Sequence, residues 1–435
     1  MRRSKLNLET AINNLENTDS NDAENKRRKK ERSNLLFALL SLLVCLTMPL
    51  AAIFGAQESF GKLNDFPEYY GAAKMICSGQ GADIYKLDAL FKVEHEHFPL
   101  MEGRGVGYYI PPFATPLLAW LGTMSAQTSY IAFMSASVIA LVFGVLLCAK
   151  HFKLSSAGTA WLATALCAGS PVFESMKIAQ LAPFLFFSLS LFLYLCGKNR
   201  DILAGASLSL MLLKPQELMP LGVYLLFARR WKNLAGLLGI AILCGFASVL
   251  MLQLQGYFNY FDLLKDSASN TQFMQPELGA TVRGQLLRLI PASPANMLSA
   301  VILLVTSAGI AAAALKCGRT ARFEKGLLQL ALPLGLVSAL HCHDYDLLLL
   351  TPWALSILLP EQQSDSTQTT QSSLASQIPR YALYAFLLVL AIPIYVPIHY
   401  NWLLRDRQAL NPIFLLFMTA AIASTVHFCT PRRKP

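Results

Sequence analysis

The residues of this chain that could do chemistry stand at the edges of apolar runs rather than inside them. Asp65 and Glu68 lie in LNDFPEYYGAAKMICSGQGADIY, directly after the apolar run Asn34–Phe54. Far downstream, HCHDYD sets His341 and His343 beside Asp344, Tyr345 and Asp346. Between these stretches Lys214 ends an apolar run at KPQE, and Glu174, Lys177 and Gln180 fall in ESMKIAQ. Charges beside a bilayer are costly unless they face protein or water, so they mark functional sites by default. A positioned carboxylate can act as a general base. An imidazole can bond an anion or tune that acid, because its charge changes near neutral pH. Lysine is a compact charge suited to phosphate, and Arg283 is a further candidate for it. Tyr69, Tyr70, Tyr108 and Tyr109 could stack on a ring or bind hydroxyls. Each residue also has a plainer role open to it. Asp65 could cap the helix that begins near Pro67. The histidines could be satisfied by Asp344 or Asp346, Lys214 could snorkel, and the tyrosines could form an interfacial belt.

The elements that carry these residues must be membrane helices. Of the 435 residues 54% are hydrophobic and only 14% charged. Soluble domains carry about 25% charged residues, and several apolar runs here approach the roughly 20 residues that a bilayer core needs. The net charge of +10 does not indicate nucleic acid, because the basic residues sit in short clusters between apolar runs. Those clusters are KHFK (150–153), GKNR (197–200), RRWK (229–232) and KCGRTARFEK (316–325), with basic tails at both ends. The positive-inside rule assigns all of them to the cytoplasm. No pair of cysteines shows metal-ligand spacing, and HCHD lacks the remainder of a closed zinc shell. No organic cofactor and no definite metal site are read from the sequence, which leaves a metal requirement open.

An all-α bundle of about twelve transmembrane helices satisfies this charge pattern, with both termini cytoplasmic. Residues 1–33 read as a disordered cytoplasmic tail and 34–360 as the transmembrane core. Within the core, 57–128 and 253–295 read as long outer loops. Residues 361–380 read as a flexible polar linker and 381–435 as a C-terminal hairpin. PPFATPLLAWLG (111–122) is too short to span and reads as a re-entrant or interfacial helix outside. Asp201–Phe227 could make one span, but Pro215, Pro220 and Lys214 favour a broken hairpin with KPQE at its outer tip. Asp65, Gln180, Lys214, Arg283, the HCHDYD segment, His399 and Arg405 then share the outer face.

Five of these stretches, in order, resemble glycosyltransferase family 87. They are NDFPEYYGAAKMICSGQGADIY, YYIPPF, AQLAPFLFFSL, LAGASLSLMLLKPQ and HCHDYDLLLL. Ala179 stands where the family usually has glycine. The resemblance implies a multispan enzyme of the GT-C type in the cell membrane, with an extracytoplasmic active site. It would be a hexosyltransferase drawing a hexose, typically mannose, from a polyprenyl-phosphate carrier. The acceptor would be a glycan or glycolipid, and membrane lipids would be its surroundings. Asp65 would be the catalytic base, with His341 and His343 assisting. Tyr69, Tyr70, Tyr109, Gln180, Lys214, Tyr345 and Asp346 would line the substrate site, and Lys214 or Arg283 would face phosphate. A transporter or flippase of a lipid-linked glycan, or a relative using another lipid-linked sugar, is the alternative.

Overall fold

The computed structural model describes residues 28–54 (apart from 48 and 52), 65–101, 107–269, 279–359 (apart from 319 and 321) and 411–429, together with residue 25. Among them the regular structure is entirely helical. Four helices are long and apolar enough to cross a membrane: α1 (Arg28–Ala51), α4 (Ala126–His151), α10 (Trp231–Ser269, apolar to Asp266) and α12 (Ala292–Cys317). Shorter apolar helices fill in between them. These include α5 (Ser156–Ala168), α7 (Ala182–Cys196) and the C-terminal helix Pro412–Cys429. Most of residues 1–33, the linker 361–380, the first part of the C-terminal hairpin (381–410), His399 and Arg405 lie outside the described residues.

Local chemistry sets the helix starts. Ser125 and Ser155 cap α4 and α5 by accepting from the N–H groups of Thr128 and Gly158, at 3.3 and 3.1 Å. Such a side-chain oxygen satisfies one of the amides a helix leaves unpaired at its first turn. The short helix α2 (Phe66–Cys77) buries both faces. Phe66 packs against Tyr130, Phe133 and Phe98 with ring centroids 5.2 to 6.1 Å apart, which ties α2 to α4 and to α3 (Leu87–His97).

PPFATPLLAWLG forms two 3-10 helices, Pro112–Leu117 and Ala119–Thr123, neither long enough to span. Each is only about 10–12 Å long. They pack against α2 and α10.

The segment from Asp201 is a broken hairpin. It comprises α8 (Asp201–Ser207), a 3-10 helix Leu208–Leu213, and α9 (Pro215–Phe227). Lys214 between them has φ −134° and ψ 76°. A residue before proline is pushed out of the helical region, and proline then suits the first helical position. Both ends of the segment meet at one end of the bundle, because Asn233, just after α9, donates to the Asp201 carbonyl at 3.0 Å. A single span would have held them apart by its whole length. The close approach needs Gly205, where a Cβ would lie 1.7 Å from the Asn233 carbonyl oxygen.

The same end gathers the basic loops. His151 bonds Glu324 at 2.8 Å, the Tyr224 hydroxyl donates to the Phe323 carbonyl at 2.9 Å, and the Arg230 guanidinium stacks on Phe323 at 3.9 Å. The four basic clusters of the sequence thus share one end of the molecule, opposite Lys214.

Residues 253–295, read as an outer loop, carry helices of their own. α10 continues through a break at Gln253 (φ 56°, ψ 176°) to Ser269, and α11 (Val282–Leu289) follows. The helical stretch from Phe323 to Ser338 is not regular. α13 (Phe323–Gly326) passes through a π-helical turn, Leu327–Ala331, into α14 (Leu332–Ser338). Proline has no N–H, so Pro333 cannot bond the Gln329 carbonyl one turn back. Ser424 of the C-terminal helix donates to that carbonyl at 3.0 Å and accepts from Trp353 at 3.2 Å.

Gly205→Ala should lower the thermal midpoint in detergent by the equivalent of about 1–3 kcal/mol. Gly239→Ala, where a Cβ would meet open space, should leave it level or raise it. Equal midpoints would mean that α8 and α10 do not touch at Gly205.

Candidate functional site

The site begins with Asp65, the residue before α2. It occupies the cap position, yet its side chain makes no capping bond. Residues at the end of α6 (Ser170–Lys177) hold it instead. The Ile178 carbonyl accepts from the Asp65 N–H at 3.0 Å, and the Gln180 side-chain amide donates to the Asp65 carboxylate. The turn that presents Gln180 needs a left-handed residue, and Ala179 supplies it with φ 55°. The Gln180 N–H reaches back to the Ser175 carbonyl at 2.8 Å, as in the glycine-closed helix ends of the Schellman type. Alanine in that conformation costs about 1 kcal/mol relative to a helical one. The glycine expected at this position has its reason in that φ.

Asp65 is half-buried. Burial pushes its carboxyl up to about 6, while the charge of Lys214 and the Gln180 bond pull the other way. An acid poised there suits proton abstraction near neutral pH. Glu68, one turn into α2, is buried, and its carboxyl bonds the Tyr69 hydroxyl. Burial holds Glu68 well above the usual carboxylate range, and the charges of Asp65 and Glu94 add to that.

Lys214 stands at the break between α8 and α9, with its side chain only 11% exposed. Its ammonium bonds Asp346 at 2.6 Å, faces Glu217 at 3.9 Å and lies 4.6 Å from the centroid of the Tyr345 ring. Glu217 and Asp346 are themselves fully buried. This settles one of the plain alternatives: Lys214 does not snorkel to water but pairs with Asp346 inside the protein, with the buried Glu217 carboxyl beside them.

The HCHDYD segment closes over this cluster. His343 and Asp346 cap each other reciprocally, with the His343 N–H on Asp346 at 3.0 Å, and so start the 3-10 helix Asp344–Leu350. The rings of His341 and His343 meet edge to face at 4.4 Å, and His343 lies 5.2 Å from Tyr345. The segment is pinned from α11 by Ala280 N–H on the Cys342 carbonyl at 2.8 Å and by Arg283 on the Leu340 carbonyl at 3.2 Å. Arg283 also bonds Asn296 at 2.9 Å. Burial lowers both imidazoles, His343 to about 4 and His341 well below its ordinary value, and the Lys214 charge adds to this in each. Both are therefore neutral at pH 7. A charge change near neutrality, the reason for singling them out from sequence, does not occur in this environment, and a neutral ring N–H is what each has to offer.

The structure thus brings Asp65, Gln180, Lys214, Tyr345, Asp346, His341 and His343 to one end of the bundle. The charge of Lys214 reaches Asp65, Glu68, His341 and His343 alike. Tyr69 is buried beside Glu68. Tyr70 lies in the scaffold, its hydroxyl on the Met124 carbonyl at 3.2 Å, and Tyr108 donates to Thr115 at 3.4 Å. Tyr109 is half-buried at the edge of the core. Glu68 and Glu217 received no role from sequence. The only signal was their position one turn after Asp65 and Lys214. Among the described residues, no three His, Cys, Asp or Glu side chains converge as ligands of a metal would.

The family model for glycosyltransferase family 87 matches residues 108–352, more than half of the chain. The match takes in Gln180, Lys214 and the HCHDYD segment and begins after Asp65 and α2. Comparison with curated proteins and with solved structures gives no significant match.

Lys214→Ala would strand the buried Asp346 carboxylate. It should cost about 3–5 kcal/mol of stability, read as a lower unfolding midpoint in detergent. The exposed Lys265→Ala should stay within about 0.5 kcal/mol. Equal midpoints would remove Lys214 from the interior.

Proposed function

The chain belongs to glycosyltransferase family 87. On that footing we propose that it moves a hexose, mannose in the first instance, from a polyprenyl-phosphate carrier to a glycan or glycolipid acceptor. The observation that carries the reading is the state of Asp65. Its carboxylate is released from capping its own helix, oriented by Gln180 and biased by a buried lysine. That is the arrangement a general base requires.

In the proposed reaction the acceptor hydroxyl oxygen attacks the anomeric carbon of the donor sugar. Asp65 takes the hydroxyl proton as the new C–O bond forms. The bond from that carbon to the phosphate oxygen breaks, and the phosphate leaves with the electron pair. Attack opposite the leaving group inverts the configuration. Neutral His341 and His343 offer N–H donors to the departing phosphate, and Lys214, paired with Asp346, lies behind them. Arg283 is a second cation on the same flank. Tyr69, Tyr109 and Tyr345 are the aromatic groups available to the sugar, with Tyr70 further into the scaffold.

The gathering of the basic loops at the far end supports an extracytoplasmic site, since short basic loops stay in the cytoplasm. In this reading the protein is a multi-pass cell-membrane enzyme with both termini inside and about twelve spans. Nucleotide sugars are cytoplasmic, so an outer site needs a donor already carried across on a lipid. The broken hairpin at Lys214 is a device that transporters also use, and a flippase of a lipid-linked glycan is the competing reading.

Proteoliposomes loaded with radiolabelled polyprenyl-phosphate mannose and a cell-envelope glycolipid fraction separate the two. Label should join the acceptor, and Asp65→Asn should cut that transfer by about 10²–10⁴-fold without loss of expression. Label that crosses the bilayer but joins nothing would refute transfer, and normal turnover by Asp65→Asn would refute the base. The pH profile gives an independent check. Activity should fall as pH drops through about 6, where Asp65 takes up its proton. Gln180→Leu removes a bond that favours the ionised form, so the acid limb should move to higher pH; an unmoved limb would dissociate Gln180 from the base.

A further inference from the structure

Helix α10 is too long for a membrane. Its 39 residues extend about 58 Å, against a hydrocarbon core of about 30 Å. Residues 231–252 already cover about 33 Å, and their exposed side chains Leu238, Ile242, Leu243, Phe246 and Leu250 are those of a lipid-facing surface. The break at Gln253 follows at once, where φ 56° and ψ 176° interrupt the helix and allow it to change direction. The Tyr257 hydroxyl donates across the break to Ser248 at 3.1 Å.

Beyond the break the helix has two distinct faces. On one, Leu252, Gly256, Asn259 and Leu263 are buried. That face clamps the stretch after α2: Asn259 donates to the Ala82 carbonyl at 2.7 Å, and Tyr260 stacks on Tyr85 at 5.0 Å. On the other face Leu254, Phe258 and Phe261 are 62–65% exposed, in line at i, i+4 and i+7, and the exposed Lys265 continues the stripe. Asp262 and Asp266 stand to one side of it and are also exposed. A stripe of large apolar groups flanked by charges, on a helix directly continuous with a spanning one, fits the boundary between lipid headgroups and acyl chains.

We propose that residues 254–269 form an interfacial helix whose Leu254, Phe258 and Phe261 insert into the leaflet at the Asp65 end of the bundle. Through Asn259 and Tyr260 the helix fastens the acid-bearing segment to that leaflet. The occupant of the stripe is therefore the bilayer itself. The inference concerns placement only and holds whether the protein transfers or transports.

Phe258→Trp in the full-length protein, reconstituted with phosphatidylcholine brominated either near the headgroup end or near the middle of its acyl chains, tests it. The unsubstituted chain supplies the signal of the five native tryptophans, to be subtracted. Quenching of the added indole should be about twofold stronger with the shallow bromines, as for a helix lying in the interface plane. Asp262→Trp, on the flank of the stripe, should be quenched less by either lipid. Stronger quenching of Phe258→Trp by the deep bromines would mean that α10 continues into the bilayer core. Absence of quenching by both lipids would mean that water or protein covers the stripe. Either result overturns the proposal, and neither bears on the transfer assay.

Discussion

The buried ion cluster at Lys214 is the constraint on which the rest of the structure depends. One ammonium stands between two carboxyl groups that have no access to water. Desolvating the Lys214–Asp346 pair is costly, and only its close mutual contact offsets it. The cluster therefore demands that the hairpin break at Lys214 and that the chain return far downstream to deliver Asp346. Pro215 provides the break, and reciprocal capping between His343 and Asp346 fixes the return. With Asp346 committed to Lys214, the paired imidazoles above it have no freedom to move away. The same positive charge, felt at Asp65 and at both histidines, couples groups that come from three distant parts of the chain.

Around that cluster the bundle divides its labour by end. At one end the basic loops are knotted together through His151, Glu324, Phe323, Arg230 and Asn233. At the other, carboxylates and imidazoles are gathered under α2 and the short 3-10 helices. The two ends are held apart by apolar helices that expose leucine, isoleucine and phenylalanine along their length.

Irregular backbone occurs where function or depth requires it. Ala179 adopts a left-handed conformation so that Gln180 can face Asp65. Gln253 breaks α10 about 33 Å from its start, close to the thickness of a hydrocarbon core. The π-helical turn before Pro333 releases a carbonyl, and Ser424 takes it up. At Ala179 and before Pro333 a backbone polar group at the irregular turn finds a specific partner, as backbone at membrane depth must.

Much was legible in the sequence because lipid imposes simple rules. Helical class, the broken hairpin at KPQE, the common side of the basic clusters and the family all follow from apolar run length, proline placement, charge spacing and five short motifs. Asp65 was legible as a candidate because an acid so soon after an apolar run has few structural uses. Tertiary structure alone decided what each charge contacts. Spacing placed Lys214 at a tip but could not show it inside, with Glu217 and Asp346 against it. It suggested histidines titrating near neutrality, whereas packing desolvates them and keeps them neutral. It marked 253–295 as an outer loop without showing its helices, because a one-sided apolar stripe interrupted by Asp262, Lys265 and Asp266 does not read as a span. The physical reason is common to all three: apolar burial is written locally along a chain, but the electrostatic state of a group depends on neighbours that only folding brings within reach.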